Sequence, residues 1–213
     1  MGSRNKTWWR AIVVALLLSS CATMSEEECR ITNWNARGQA DGQNGAAVGR
    51  FQNYTKACSR YSIAPDFTAW EAGRQRGLER YCTPQGVYAA ARRLSGNPGE
   101  CGFDPTLNRI FRVASRYAAL ERELFDARRD YDSLLRSFDF DRRNARVQRR
   151  RLSRDDLSDK DRRDAERSLE NSEADLDAFP FRQQDALFRL SDIERTRDRA
   201  QFELFELERE FGL

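Results

Sequence analysis

From Pro105 to Leu213 the chain holds one further proline, Pro180, and one glycine, Gly212. A stretch this long without breakers, and dense in charge of both signs, is committed to helix. Asp104 and Pro105 supply its start. Steps of four and three residues then pick out Ile110, Ala114, Tyr117, Glu121, Leu124, Arg128, Tyr131, Leu135, Phe138, Arg142 and Ala145, a mostly apolar seam. The pattern breaks between Leu152 and Ser158. Ser158 with Asp161 resembles a capping box, with aspartate in place of glutamate. A second seam follows through Leu169, Ser172, Leu176, Phe179, Gln183, Ala186, Leu190, Ile193, Arg197, Ala200, Leu204, Leu207 and Phe211. Heptads sustained this far argue for a coiled coil.

The two arms are of similar length, each ~70 Å at 1.5 Å per residue. One break between equal arms predicts an antiparallel helical hairpin over 105–151 and 159–211. Pro180 lies inside the second arm, yet the seam keeps register across it. That predicts a kink or brief interruption, not a boundary. Leu120, Phe125, Leu134 and Phe140 on the first arm lie off the seam, as do Leu187, Phe188, Phe202 and Phe205 on the second. They widen the apolar stripe beyond what a two-stranded seam covers. Arg149, Arg150 and Arg151 near the predicted tip could meet an anionic surface. Asp155 and Asp156 follow closely, and the mixed charge reads as a solvated helix surface.

Residues 29–103 differ in composition. They hold most of the glycines, Trp34, Trp70 and several tyrosines. A weak internal repeat runs through them. Trp34 is followed by Gly38, Asp41, Gly42 and Gly45; Trp70 by Gly73, Gly77, Leu78, Tyr81 and Cys82; a degraded third copy begins at Tyr88. The aromatic and small residues recur at three- and four-residue steps, which fits one face of a short helix. Glycine inside a helix costs roughly 1 kcal/mol relative to alanine. Its repeated use predicts close backbone approach, of helix against helix or helix against ligand. Pro65 and Asp66 offer a start for the second copy, Pro84 and Gly86 its end, and residues 96–99 a turn.

Apart from Cys21, the cysteines are Cys29, Cys58, Cys82 and Cys101. Four is an even number, all in the first half of the chain, and argues for two disulfides, with three connectivities open. Cys29–Cys58 with Cys82–Cys101 is favoured, because each then closes a local loop. The alternative is a zinc site of four thiolates. The absence of any C-x-x-C pair speaks against it, and no metal or cofactor is expected. There is no histidine, which excludes Ser-His-Asp and Cys-His catalysis.

The joint pattern of Glu28-Cys29, Trp34, Gly38, Asp41-Gly42, Gly45, Cys58, Gly73, Gly77-Leu78, Tyr81-Cys82 and Cys101 resembles a family of proteobacterial envelope lipoproteins catalogued as a domain of unknown function. The resemblance covers roughly Met24 to Cys101, and the helical tail matches in style. The family has glycines where Ala91 and Leu94 stand here, and tyrosine where Asn97 stands. The resemblance implies location and architecture and supplies no activity.

The N-terminus reads the same way. Arg4, Lys6 and Arg10 precede an unbroken apolar run from Ala11 to Leu18, too short to span a bilayer but laid out as a secretory signal. Leu18-Ser19-Ser20-Cys21 closes the run and resembles the lipobox of bacterial lipoproteins, the alternative being an ordinary signal with an incidental cysteine. The resemblance implies lipidation of Cys21 and cleavage before it. Several acyl chains anchor firmly where one binds marginally. In such lipoproteins aspartate after the cysteine retains the protein at the inner membrane. Residue 22 is alanine, so the expected location is the outer membrane, facing the periplasm. The formal charge is +3, and loss of Arg4, Lys6 and Arg10 leaves the mature chain close to neutral. No nucleic-acid partner is expected.

The expectation is therefore a mainly α protein: signal peptide 1–20, lipidated tether 21–28, compact Cys/Gly/Trp domain 29–103, and hairpin 104–213. The expected function is a non-enzymatic structural or adaptor role in the envelope, membrane-bound through the lipid. The hairpin would associate with a protein partner or with itself. A second reading is a glycan- or peptide-binding module using Trp34, Asp41, Trp70 and Tyr81. A third is a carboxylate-based hydrolase drawing on Glu28, Asp41, Asp66, Glu71 and Glu79. In the bland alternative the tryptophans are core and the charged groups caps or surface pairs.

Overall fold

The computed structural model describes residues 24–213. The predicted signal peptide and Cys21 lie outside the described residues. Among those described there are seven α-helices, one 3-10 turn and no strand. Two units separate, residues 24–111 and 112–213.

The first unit begins with α1 (Glu26–Ile31). Ser25 Oγ accepts from the Glu28 amide at 3.2 Å and the Glu28 carboxylate accepts from the Ser25 amide at 2.6 Å, a full capping box. Asn33 caps α2 (Trp34–Gln43) through the Ala36 amide. Next comes α3 (Arg50–Ser59), and then α4 (Phe67–Tyr81), capped by Asp66 on the Ala69 amide at 2.9 Å. Pro84 closes the second copy as expected. It also opens a further helix, α5 (Pro84–Arg92), from a first-turn position where proline's missing N–H does no harm, beside the Thr83 cap. A 3-10 turn (Pro98–Cys101) leads to α6 (Pro105–Leu152).

The unit is organised by α2 against α4. An ideal Cβ on Gly38 would lie 1.8 Å from the Trp70 carbonyl oxygen, and one on Gly42 2.1 Å from that of Arg74. Reciprocally, Gly73 would meet the Asn35 oxygen at 1.9 Å and Gly77 that of Gln39 at 2.3 Å. Both helices thus carry a small-xxx-small stripe, and each takes the other's backbone into its groove. The matched positions rise together, so the two helices run in the same direction. One interval separates Gly38 from Gly73 and Gly42 from Gly77. The internal repeat is therefore a pseudo-twofold helix pair, and the close approach is helix to helix.

Around this pair Met24, Trp34, Tyr54, Ala57 and Trp70 bury against the Cys29–Cys58 bond. Phe51 and Phe67 complete an aromatic cluster with ring centroids 5.1 to 6.5 Å apart. The second bond, Cys82–Cys101, ties the end of α4 to the 3-10 turn. Both local pairings match the favoured connectivity. Loops of these lengths contribute ~3–4 kcal/mol each in the chain-entropy picture.

Two expected boundaries are corrected. Residues 24–28 are no free tether, since Met24 is 3% exposed in the core and Ser25 caps a helix. The division between units falls after Phe111, not Phe103. Leu107 and Ile110, both buried, lie on the compact unit's side of it.

Leu94 follows α5 with φ of +54°, in the left-handed region, where Ser95 N–H returns to the Ala90 oxygen. An L-residue there costs roughly 1–2 kcal/mol, against ~0.5–1 kcal/mol of extra chain entropy for glycine. Leu94 is also partly exposed and loses little burial. Leu94→Gly is therefore expected to raise stability by ~0.5 kcal/mol, read as a higher urea midpoint. A lower midpoint would show that its side-chain packing outweighs the strain.

The second unit is the predicted hairpin. α6 (Pro105–Leu152) and α7 (Asp159–Phe211) have almost the expected bounds, and α7 continues through Pro180. Arg182 donates to the Asp175 carbonyl and carboxylate beside it. The pairing is antiparallel: Arg116 with Glu203, Arg128 with Glu194, Phe138 stacked on Phe179 at 4.1 Å, and Arg149 with Glu173. Each exposed ion pair is worth under ~1 kcal/mol, so the seam does the holding. Leu124, Ala127 and Ile193 are buried within it, with Leu190 packed alongside. Towards the tip the seam turns polar. Asn144 Nδ2 donates to Ser172 Oγ at 2.8 Å and Ser168 Oγ at 3.1 Å, a feature that fixes register. At the tip Arg149 and Arg151 are paired with Glu173 and Asp161.

Candidate functional site

In the compact unit the sequence candidates converge on Asp41, in the last turn of α2. Its Oδ2 accepts from the Trp70 indole N–H at 2.9 Å and from the Tyr54 hydroxyl at 2.8 Å. Tyr54 in turn accepts from Arg50 Nε at 3.3 Å, and the guanidinium of Arg37 lies 5.2 Å from its ring centroid. Asp41 and Arg50 sit at one side of an open groove of about 530 Å³, with Gly45, Gly96 and Asn97 among its other walls.

The expected aromatic platform is corrected by burial. Trp70 and Tyr81 are 0% exposed and Trp34 is 9% exposed, so none offers a ring face to a ligand. The two indoles belong to the aromatic core, and Tyr81 lies under Gly45 and Gly96, whose Cβ atoms would collide with it. Burial pushes the Tyr81 hydroxyl up to about 12. Of the proposed ligand residues only Asp41 reaches the groove.

The hydrolase candidates are equally occupied. Glu28 and Asp66 are helix caps. Glu71 forms a two-pronged pair with Arg74, from Nε at 2.8 Å and Nη2 at 3.0 Å. Arg74 Nη1 also donates to Glu100 at 2.8 Å and to the Ala46 carbonyl at 3.1 Å. The guanidinium is buried and lies 5.7 Å from the Trp70 ring centroid. Its hydrogen bonds hold the Glu71 carboxyl below the ordinary glutamate range. This hub, which links α4, the loop at Ala46 and the 3-10 turn, was not foreseen. Arg74 is one of three arginines in α4, with Arg76 and Arg80, and local sequence gives no sign of which one is buried. Glu79 is exposed.

The hairpin presents a different kind of surface. Phe125, Phe140, Phe188, Phe202 and Phe205 are between 57% and 69% exposed, and Phe181 is 77% exposed. All but Phe181 were expected off the seam. Phe181, Phe188 and Phe202 share one heptad position, a regularity visible in the sequence. Leu120 and Leu134 are half-buried.

Among the described residues no helix is long and apolar enough to cross a membrane, and no group of three or more His, Cys, Asp or Glu side chains could hold a metal ion. Residues 33–117 match the family model described as "Protein of unknown function (DUF2799)". The match starts at the α2 cap and ends within α6, and over that stretch it agrees with the resemblance read from the Trp, Gly and Cys pattern. Searches of curated proteins and of solved structures found no match.

Proposed function

We propose that this chain is a lipoprotein anchored in the outer membrane and facing the periplasm; the family model it matches over residues 33–117 brings no activity with it. Its role is structural or adaptor-like and non-enzymatic, and the hairpin is its assembly arm. Support for the anchor is the sequence Leu18-Ser19-Ser20-Cys21 after a basic and apolar leader. The assembly role rests on one observation, the exposed phenylalanines outside a seam already closed by Leu124, Ala127, Leu190 and Ile193. Fully burying one such ring is worth ~1.5–3 kcal/mol, and several on one helix give a partner a sizeable gain. A soluble surface seldom leaves such a series uncovered.

The test is photo-cross-linking in living cells from a benzophenone side chain at Phe181, Phe188, Phe202 or Phe205, with exposed Glu79 as the control position. A covalent adduct with a second polypeptide, this chain or another, is expected from the phenylalanine positions and not from the control. No adduct from any of the four in intact, membrane-bound protein would overturn the assembly role.

A further inference from the structure

The described chain is fixed from Met24 onward. Met24 is buried among Trp34, Tyr54, Trp70 and the Cys29–Cys58 bond. Ser25 is locked by two hydrogen bonds with Glu28. In the sequence only Ala22 and Thr23 separate Met24 from Cys21. Three residues reach ~10 Å at full extension. A folded unit the size of residues 24–111 has a radius of gyration of ~12 Å. The leash is thus shorter than the body it holds.

We propose that the compact unit rests directly on a phospholipid surface, with the end bearing Met24 and α1 against the headgroups. The proposal rests on the lipoprotein reading of Cys21. With the thioether-linked lipid at headgroup level, covalent geometry holds Met24 within ~10 Å of the headgroups. The contact is mostly polar, with Ile31 at the far end of α1, 73% exposed, the large apolar side chain on it. The exposed side chains next to Met24 are Ser25, Glu26 and Glu27, and Glu26 is paired with Arg30 at 2.7 Å. The anchor therefore fixes which end of the unit meets the membrane, and does not merely keep the protein nearby.

The test uses the mature, lipidated full chain in vesicles of phosphatidylcholine and phosphatidylethanolamine carrying a nitroxide on the choline headgroup. Trp34 and Trp70, both in the Met24 cluster, are the reporters. A variant carries twelve Gly/Ser residues between Thr23 and Met24, a coil of ~20 Å r.m.s. length. The native chain is expected to be quenched severalfold more than the spacer variant, which approaches the level of protein in unlabelled vesicles. Equal quenching of the two, or none in either while intact mass confirms acyl chains on Cys21, would overturn the seating alone. A mature mass without acyl chains would overturn the lipoprotein reading, and the seating with it.

Discussion

Gly38→Ala is expected to destabilise the compact unit by roughly 3 kcal/mol or more, the severe end of overpacking costs. Alanine in a helix ordinarily gains ~1 kcal/mol over glycine. Here the sign reverses, because the added methyl would sit 1.8 Å from the Trp70 carbonyl oxygen. That neighbour is backbone within a helix and cannot swing aside as a flexible side chain could. The two helices must separate, and separation opens the Trp34–Trp70 core and strains the reciprocal contacts at Gly73 and Gly77. Gly73→Ala, 1.9 Å from the Asn35 oxygen, is expected to cost as much. Gly49 has open space around it, so Gly49→Ala serves as control and is expected to be neutral within ~0.5 kcal/mol. Urea unfolding followed by tryptophan emission reads the compact unit, since Trp34 and Trp70, the tryptophans of the described residues, both lie in it. An unchanged midpoint for both Gly38→Ala and Gly73→Ala would refute the close α2–α4 crossing.

Arg74→Ala is expected to cost about 3–5 kcal/mol, the usual penalty for breaking a buried ion pair from one side. The loss comes less from attraction forgone than from what remains. Glu71, Glu100 and the Ala46 carbonyl keep their acceptors and lose the Arg74 donors, which leaves Gln75 on Glu71 and Asn97 on Glu100. Arg74→Lys keeps the charge but not the planar fork, so it should retain only part of the stability. Removing the acceptors as well, in a triple Arg74→Met, Glu71→Gln, Glu100→Gln variant, should recover part of the deficit. If the triple variant is as unstable as Arg74→Ala, the packing of Arg74 over Trp70 matters and the ion pairs do not.

The same hub gives a pH dependence. Glu71 is held below its ordinary value of about 4.5 in the fold, chiefly by the hydrogen bonds from Arg74. A depressed carboxyl contributes stability that is present above the unfolded-state value and lost as pH falls through the folded-state one. The native chain should therefore lose this increment below about pH 4.5. The Arg74→Ala variant should lose the Arg74 share of it, keep that of the Gln75 hydrogen bond, and show a flatter stability profile in that range.

The hairpin was legible because its information is local. Heptad steps, the cap at Ser158 and the dearth of breakers act within a few turns, and the observed bounds of α6 and α7 follow them closely. The disulfide pairing was legible for a related reason, since each bond closes a short loop with its own helix ends. The glycine repeat stated that a backbone approaches closely but could not say whose. Only the non-local pairing of α2 with α4 decided that it is another helix, and the same pairing turned Trp70 from a candidate platform into core. Residues 22–28 read as a tether because nothing in their own sequence shows Met24 finding a pocket among Trp34, Tyr54 and Trp70. Burial of Arg74 and of Met24 belongs to contacts between segments far apart in the chain. A sequence states the periodicity of each element, whereas the side that ends up dry depends on which neighbours arrive.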